Sequence, residues 1–298
     1  MKIKVLILLL FITSLISSCA QKNSSKDYLV TIKTGYGDMV AVLYDETPKH
    51  KENFIKLAKE KYFDSLLFHR VIPAFMIQGG DPLSKKAQPG EHLGVGGPGY
   101  TIDAEFRNEF FHERGALSAA RLGDQQNPTK ASSGSQFYVV QGKIYADEEL
   151  NQLETSIAYN RKNMALREVL SMPAYQNLRQ SIIDKQKAGD GQWLNSFFLQ
   201  SDTLIKKVKP TYESFTFTPE SKVRYKEVGG APHLDGDYTV FGKVIKGLEV
   251  LDKIAALPRD AGDRPTEDVR MIVTVQELPR AQIEKEYGYV YPKPKANP

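Results

Sequence analysis

Short runs of strand-forming residues, each closed by a glycine or proline turn, recur along most of this chain, and that pattern restricts its fold more than any other feature. Leu29-Val30-Thr31-Ile32 runs to Gly35-Tyr36-Gly37-Asp38 and returns as Met39–Tyr44, a β-hairpin signal. Further strands are predicted at Leu67–Ile72, Phe75–Gln78, Tyr100–Ile102, Gly115–Ser118, Gln136–Val140, Tyr238–Val244 and Val269–Val275. Thr47-Pro48 opens a helix with Phe54, Leu57 and Ala58 at helical spacing, and Lys246–Ala256 predicts a second one. Many short strands with two helices indicate a mainly β protein built on a closed or partly closed antiparallel barrel.

The middle of the chain departs from this pattern. From Asp147 to Val208 it is rich in Glu, Gln, Asn, Lys and Arg, with Leu150, Leu153 and Ile157 on one helical face and Leu166, Val169 and Leu170 on another. Pro173, Gly189-Asp190-Gly191 and Pro210 cut the stretch into about three helices, with Asp147 expected as the first N-cap. The predicted organisation is a barrel in two parts, residues 28–142 and 229–278, interrupted by a helical insertion at 143–228 and followed by a charged tail at 279–298. Trp193, Phe197 and Phe198 have the spacing of a core stripe rather than of a client-binding patch. The insertion leaves a loop close to the candidate site described below, so it is expected to overhang that site.

The N-terminus carries an address. Lys2 and Lys4 precede an apolar run, Val5–Ile16, too short for the ~20 residues that span a bilayer. This is a secretory-signal pattern over residues 1–18, and Ile16-Ser17-Ser18-Cys19 resembles a bacterial lipobox. The resemblance implies cleavage before Cys19, lipidation of Cys19 and a polar tether over 19–27. With Ala20 next and no Asp there, the expected location is the cell envelope, on the outer membrane facing the periplasm. Cys19 is the sole cysteine of 298 residues, so no intramolecular disulfide forms. Forty Lys+Arg against 36 Asp+Glu give +4, which falls to +2 once Lys2 and Lys4 leave, too little to attract nucleic acid by bulk charge.

Phe68-His69-Arg70-Val71-Ile72-Pro73-Ala74-Phe75-Met76-Ile77-Gln78-Gly79-Gly80-Asp81 places a guanidinium and an amide among large apolar groups. Alternation puts Phe68, Arg70 and Ile72 on one face, and the break at Pro73 brings Phe75 and Gln78 onto it. The ordinary alternative is a buried strand with one arginine reaching solvent. The functional reading is an apolar pocket with a five-donor planar group at its rim.

That string resembles the signature of the cyclophilins, the cyclosporin-binding peptidyl-prolyl cis-trans isomerases. GGPGYTIDAEF (96–106), GALSAAR (115–121), SGSQFYVVQG (133–142), HLDGDYTVFGKV (233–244) and DRPTEDVRM (263–271) follow in the family's order. The resemblance implies an eight-stranded antiparallel barrel capped by two helices, with the site on its outer face. It makes Arg70 the catalytic residue and Gln78 the amide that binds substrate backbone. Phe75, Met76, Tyr138 and Leu234 then line the proline pocket, and Gln136, Ala120 and Arg121 flank the groove for the preceding residue. Phe241 lies behind the pocket. Tyr138 stands where Phe is usual, Tyr238 where His is usual and His233 where many members have Trp, which bears on drug sensitivity and substrate preference. The expected partners are proline-containing polypeptides of the envelope and, through the lipid, the membrane. A catalytically idle proline-peptide clamp that recruits partners through its helices is the rival reading.

No cofactor is implied. The literal G-x-G-x-x-G at Gly94–Gly99 holds Pro98 and precedes a strand pattern, so it reads as a loop rather than a dinucleotide fingerprint. The five histidines lack paired metal-ligand spacing, and His69 is expected to be a structural hydrogen-bonding residue.

Overall fold

A computed structural model describes residues 25–292. The predicted signal, Cys19 and most of the tether lie outside the described residues. Two compact units are present: residues 28–277, and a small unit whose described part is 25–27 with 278–292.

In chain order the strands are β1 (Lys26–Thr34), β2 (Gly37–Leu43), β3 (Phe68–Ile72), β4 (Met76–Gly79), β5 (Thr101–Ile102), β6 (Ala116–Ala119), β7 (Ser132–Ser133), β8 (Phe137–Val140), β9 (Val240–Lys246) and β10 (Met271–Pro279). The helices are α1 (Pro48–Lys59), α2 (Asp147–Ser171), α3 (Gln176–Lys187), α4 (Gly191–Val208), α5 (Pro219–Glu227), α6 (Leu248–Ala255) and α7 (Arg280–Tyr287). Eight strands form one antiparallel sheet in the order β10-β1-β2-β9-β6-β8-β4-β3, and β5 pairs with β7 separately. The sheet curls until its ends meet. The backbone N–H of Phe68 donates to Val269 O at 2.9 Å, and Leu66 and Met271 join at 2.9 Å beside a Leu67–Arg270 bridge.

Alternation along the strands fills the interior. Val30 and Ile32 of β1, Met39, Ala41 and Leu43 of β2, Leu117 of β6 and Val139 of β8 point into one core. The two cap helices meet that core with Phe54, Leu57 and Ala58 of α1 and Val250, Leu251, Ile254 and Ala255 of α6. Phe54, Phe63 and Phe137 pack around one another at 4.9–5.6 Å, with Phe137 edge-on to both partners.

The insertion leaves and re-enters the barrel at one point. The backbones of Lys143 and Gly230 bridge, with Gly230 N–H donating to Lys143 O at 2.9 Å. The crossing is so close that a Cβ on Gly142 would lie 2.3 Å from Gly230 Cα. Its helices carry their own apolar contacts. Leu150, Ile157, Phe217 and Tyr225 form one cluster, and Ala165, Leu166 and Ile205 form another, against which half-buried Phe197 and Phe198 pack. Between 147 and 208 there are three helices, broken where Pro173 and Gly189 stand; α5 is a fourth that sequence pattern did not indicate.

Several expectations need correction. Ala146, not Asp147, is the N-cap of α2; Asp147 is its first residue, and Glu149 Oε2 accepts the Ala146 N–H at 2.9 Å. Phe68 does not share a face with Arg70 and Ile72. The pairing register of β3 with β4 shifts between Phe68 and Arg70, which turns Phe68 into the core. Phe75 precedes β4 because Ala74 takes a left-handed conformation (φ +58°), and Tyr238 lies before β9. In the small unit, α7 occupies part of the tail, and Arg280 N–H donates to Ser25 O at 2.9 Å. No helix among the described residues is long and apolar enough to cross a membrane.

Candidate active site

The register of the sheet assembles the site. Arg70 of β3 pairs with Gln78 of β4, Gln78 with Tyr138 of β8, and Tyr138 with Ser118 of β6. Because the bulge before Arg70 turns its side chain outward, these residues form a row on the outer face of the barrel. A turn at Pro73-Ala74 then folds Phe75 over the row, fixed by Gln141 Oε1 accepting from Ala74 N–H at 2.7 Å.

A cavity of about 550 Å³ opens over this row. Its apolar part is walled by Phe75, Met76, Ala120, Tyr138, Leu234 and Tyr238. Met76, Tyr138 and Leu234 are buried, so the pocket is built before any ligand arrives. Arg70 stands at its rim with 42% of its side chain exposed, Nη1 donating to Gln78 Oε1 at 3.3 Å and Nε 3.9 Å from Asp263 Oδ2. One carboxylate and one amide steady the guanidinium and leave most of its five N–H groups to a ligand.

Gln78 passes the connection inward. Its Nε2 donates to Gln136 Oε1 at 3.0 Å, and Gln136 Nε2 donates to the carbonyls of Gly94 and Gly96 at 2.9 and 2.8 Å. Asp81 Oδ2 accepts from the N–H groups of the same two glycines at 2.6 and 3.2 Å. The glycine-rich segment is therefore a loop, as expected, and it is pinned from both sides. Gln136 lines a neighbouring groove with Ala120 and Arg121 rather than the apolar pocket itself. Arg121 lies under the ring of Tyr238, 4.4 Å from its centroid, with Nε donating to Asp237 O at 2.7 Å. His233 is not in the cavity wall but packs its ring 5.3 Å from Phe75. Although it is exposed, partial desolvation beside Phe75, with His112 nearby, pushes its pKa down.

His69 departs from expectation. It is 5% exposed, lines the cavity, and neither ring nitrogen has a hydrogen-bond partner among the described residues. Burial lowers its pKa from 6.5 to about 4, so it is neutral at ordinary pH. Sequence reasoning also missed Glu91, Leu93, Asp260 and Arg264, which wall the side of the cavity beyond Arg70. Arg264 lies within the motif string 263–271 but was given no role there, and Glu91, Leu93 and Asp260 fall outside the motif strings. Contrary to expectation, no residue of 143–228 lines the cavity. Phe241 is buried in the core against Phe54 and His50.

The barrel thus carries an outward apolar pocket rimmed by an arginine and an amide on neighbouring strands. This chain belongs to the cyclophilin-type peptidyl-prolyl cis-trans isomerases: the family model, described as cyclophilin type peptidyl-prolyl cis-trans isomerase/CLD, matches residues 29–168 and 214–276. Over 255 residues it is 35% identical to a protein of Streptococcus pyogenes provisionally named a bifunctional phosphatase/peptidyl-prolyl cis-trans isomerase, covering 83% of this chain but only 38% of that one. Over 245 residues it is 33% identical to a protein of Staphylococcus haemolyticus provisionally named a peptidyl-prolyl cis-trans isomerase, covering 80% of this chain and 86% of the other. A solved cyclophilin-type isomerase of Cryptosporidium parvum superposes with a TM-score of 0.46 at 21% identity, covering 86% of this chain and all of that one.

Proposed function

We propose that this chain catalyses cis-trans isomerisation of X–Pro bonds in exported polypeptides, with the apolar pocket holding the proline ring and Arg70 donating to the twisted imide. The observation that carries this reading is the position of the Arg70 guanidinium, at the rim of the pocket walled by Phe75, Met76, Tyr138 and Leu234.

The chemistry follows from the peptide bond. Rotation about X–Pro is opposed by amide resonance worth ~18–20 kcal/mol, so uncatalysed exchange takes tens to hundreds of seconds. No nucleophile or proton transfer is required; the protein must bind the twisted bond better than either planar form. As the bond twists, the proline nitrogen regains lone-pair density and becomes an acceptor. A guanidinium beside the ring meets that acceptor with an N–H, while the Gln78 amide binds backbone of the residues that do not turn. The pocket keeps the pyrrolidine fixed so that the preceding carbonyl moves. Arg70 starts within reach of Gln78 Oε1 at 3.3 Å, a bond long enough to be given up at little cost.

The location is part of the proposal. Lys2, Lys4, the Val5–Ile16 run and Cys19 support a lipid-anchored protein of the cell envelope, on the outer membrane facing the periplasm. There its substrates are proline-containing chains that fold after export.

The test is a protease-coupled exchange assay on a Xaa-Pro peptide with the full chain in detergent. Acceleration proportional to protein concentration is expected. No acceleration, together with saturable binding of the same peptide, would replace this reading with the idle proline-peptide clamp.

A further inference from the structure

The floor of the pocket and the helical insertion are joined by a continuous, largely buried chain of hydrogen bonds. Tyr138, whose ring forms part of the pocket, directs its hydroxyl away from the cavity to His112 Nε2 at 3.0 Å. His112 is 1% exposed, and its Nδ1 meets Asp235 Oδ1 at 2.8 Å, an oxygen that also accepts the His112 backbone N–H at 2.9 Å. A carboxylate has no proton to give, so Nδ1 carries the hydrogen, and in the Nδ1–H tautomer Nε2 accepts from the Tyr138 hydroxyl. The other oxygen of Asp235 accepts from the Tyr225 hydroxyl at 2.5 Å.

Tyr225 belongs to α5 of the insertion. It is fully buried, and the rings of Phe111, Tyr145 and Phe217 surround it at 6.0–6.4 Å, which fixes where its hydroxyl points. A second attachment comes from α2. Arg161, stacked 4.4 Å from the centroid of Phe215, donates to the Asp235 carbonyl and, at 3.0 Å, to Asp237 Oδ2. The segment 232–238 that these contacts hold carries Leu234 and Tyr238, two walls of the pocket.

We propose that the insertion is a positioning element of the proline pocket, acting through Tyr225 and Asp235 on His112 and so on Tyr138. This rests on the isomerase reading for its functional consequence, but not for its structural one. The physical reason is that Tyr138 sits in a nearly closed apolar setting, where a hydroxyl without a partner is costly. If His112 is displaced, the Tyr138 hydroxyl turns toward the remaining acceptor beside it, the otherwise unpartnered Ser118 hydroxyl on the neighbouring strand, and its ring shifts from the place where the pyrrolidine packs. Burial holds both tyrosine hydroxyls well above their ordinary pKa, so both remain donors.

Tyr225→Phe in the full chain removes one hydroxyl that does not line the cavity. It should raise KM for a Xaa-Pro peptide about fivefold and leave kcat within about twofold, the signature of lost uniform binding. It should also speed hydrogen exchange at the Leu234 and Tyr238 amides, whose bonds run to Ala231 O and Leu234 O. His112→Leu should raise KM about tenfold in the wild-type background and less than threefold when Tyr138→Phe is already present, because the histidine then has no hydroxyl to hold. An unchanged KM and unchanged amide exchange in Tyr225→Phe, or an equal cost of His112→Leu in both backgrounds, would overturn the proposal. Should His112→Leu fail to fold, Tyr225→Phe decides. A wild-type protein with no isomerase activity would remove the isomerase reading, while the exchange measurement would still test the link.

Discussion

At the scale of single residues, His69 and Arg70 show how one step along the chain separates two roles. Both face outward because of the bulge after Phe68, yet Arg70 is half solvent-exposed with partners, whereas His69 is buried without them. The consequence for His69 is a pH-dependent stability of defined sign. Its folded pKa is about 4 against an ordinary value of 6.5, so between these values the unfolded chain binds more protons than the folded one. Stability is therefore complete above pH ~6.5 and falls as pH drops toward 4, by about 3 kcal/mol in full. His50, buried like His69, is also shifted down by burial and adds to the same slope. Tm measured from pH 7 to pH 4.5 should fall by several degrees, and His69→Asn should flatten part of that fall. An unaltered slope in His69→Asn would show that the buried ring does not titrate as described. Arg70, Gln78, Phe75, Met76, Tyr138 and Leu234 were legible because they lie in motif strings. His112 and Asp235 were not, since their pairing joins residues 123 positions apart that no local pattern connects.

At the scale of elements, strands and cap helices follow from alternation and from Pro48, whereas their ends follow from turn chemistry the alternation does not carry. The bulge at Phe68 is the clearest case: period-two reasoning put Phe68 beside Arg70, and one register shift moved it to the core. Alternating pattern also says nothing of α5, whose polar sequence is held by Tyr225 and an N-cap bond from Ser221 N–H to Thr218 Oγ1 at 3.1 Å. The crossing where the insertion joins the barrel belongs to this scale as well. A Cβ on Gly230 would lie 2.2 Å from His112 O, at a φ of +156°. Gly230→Ala should destabilise the protein by about 2–4 kcal/mol in urea unfolding, combining backbone strain with a clash. Gly189, also left-handed at φ +69° but with nothing within 4 Å, serves as comparison: Gly189→Ala should cost only about 1 kcal/mol. Equal costs at the two sites would mean that the crossing is looser than the geometry indicates.

At the scale of the whole molecule, a barrel with an outward pocket carries an insertion whose helices stand clear of the cavity yet hold its wall. Sequence pattern aimed the helical stretch at the groove, yet no residue of 143–228 lines the cavity, because loop position reports proximity and not direction. The proposed lipid anchor is tested at this scale too. With Cys19 lipidated, wild type should fractionate with the outer membrane, and Cys19→Ser should be unprocessed or soluble; unchanged fractionation and mass in that variant would contradict lipidation. The central claim, however, is that a single preorganised donor beside an apolar ring pocket accounts for the catalysis. The measurement that tests it is kcat/KM on an Ala-Pro peptide for wild type, Arg70→Ala and Arg70→Lys, with circular dichroism verifying the fold of each. Losing one such donor costs ~10²–10³ in rate, about 3–4 kcal/mol, so Arg70→Ala should fall by that factor with peptide binding little changed. Arg70→Lys should recover little, because an ammonium lacks the planar fork that spans nitrogen and carbonyl. Activity of Arg70→Ala within about threefold of wild type would contradict the account, since a loss of roughly 0.7 kcal/mol is what a solvated arginine contributes.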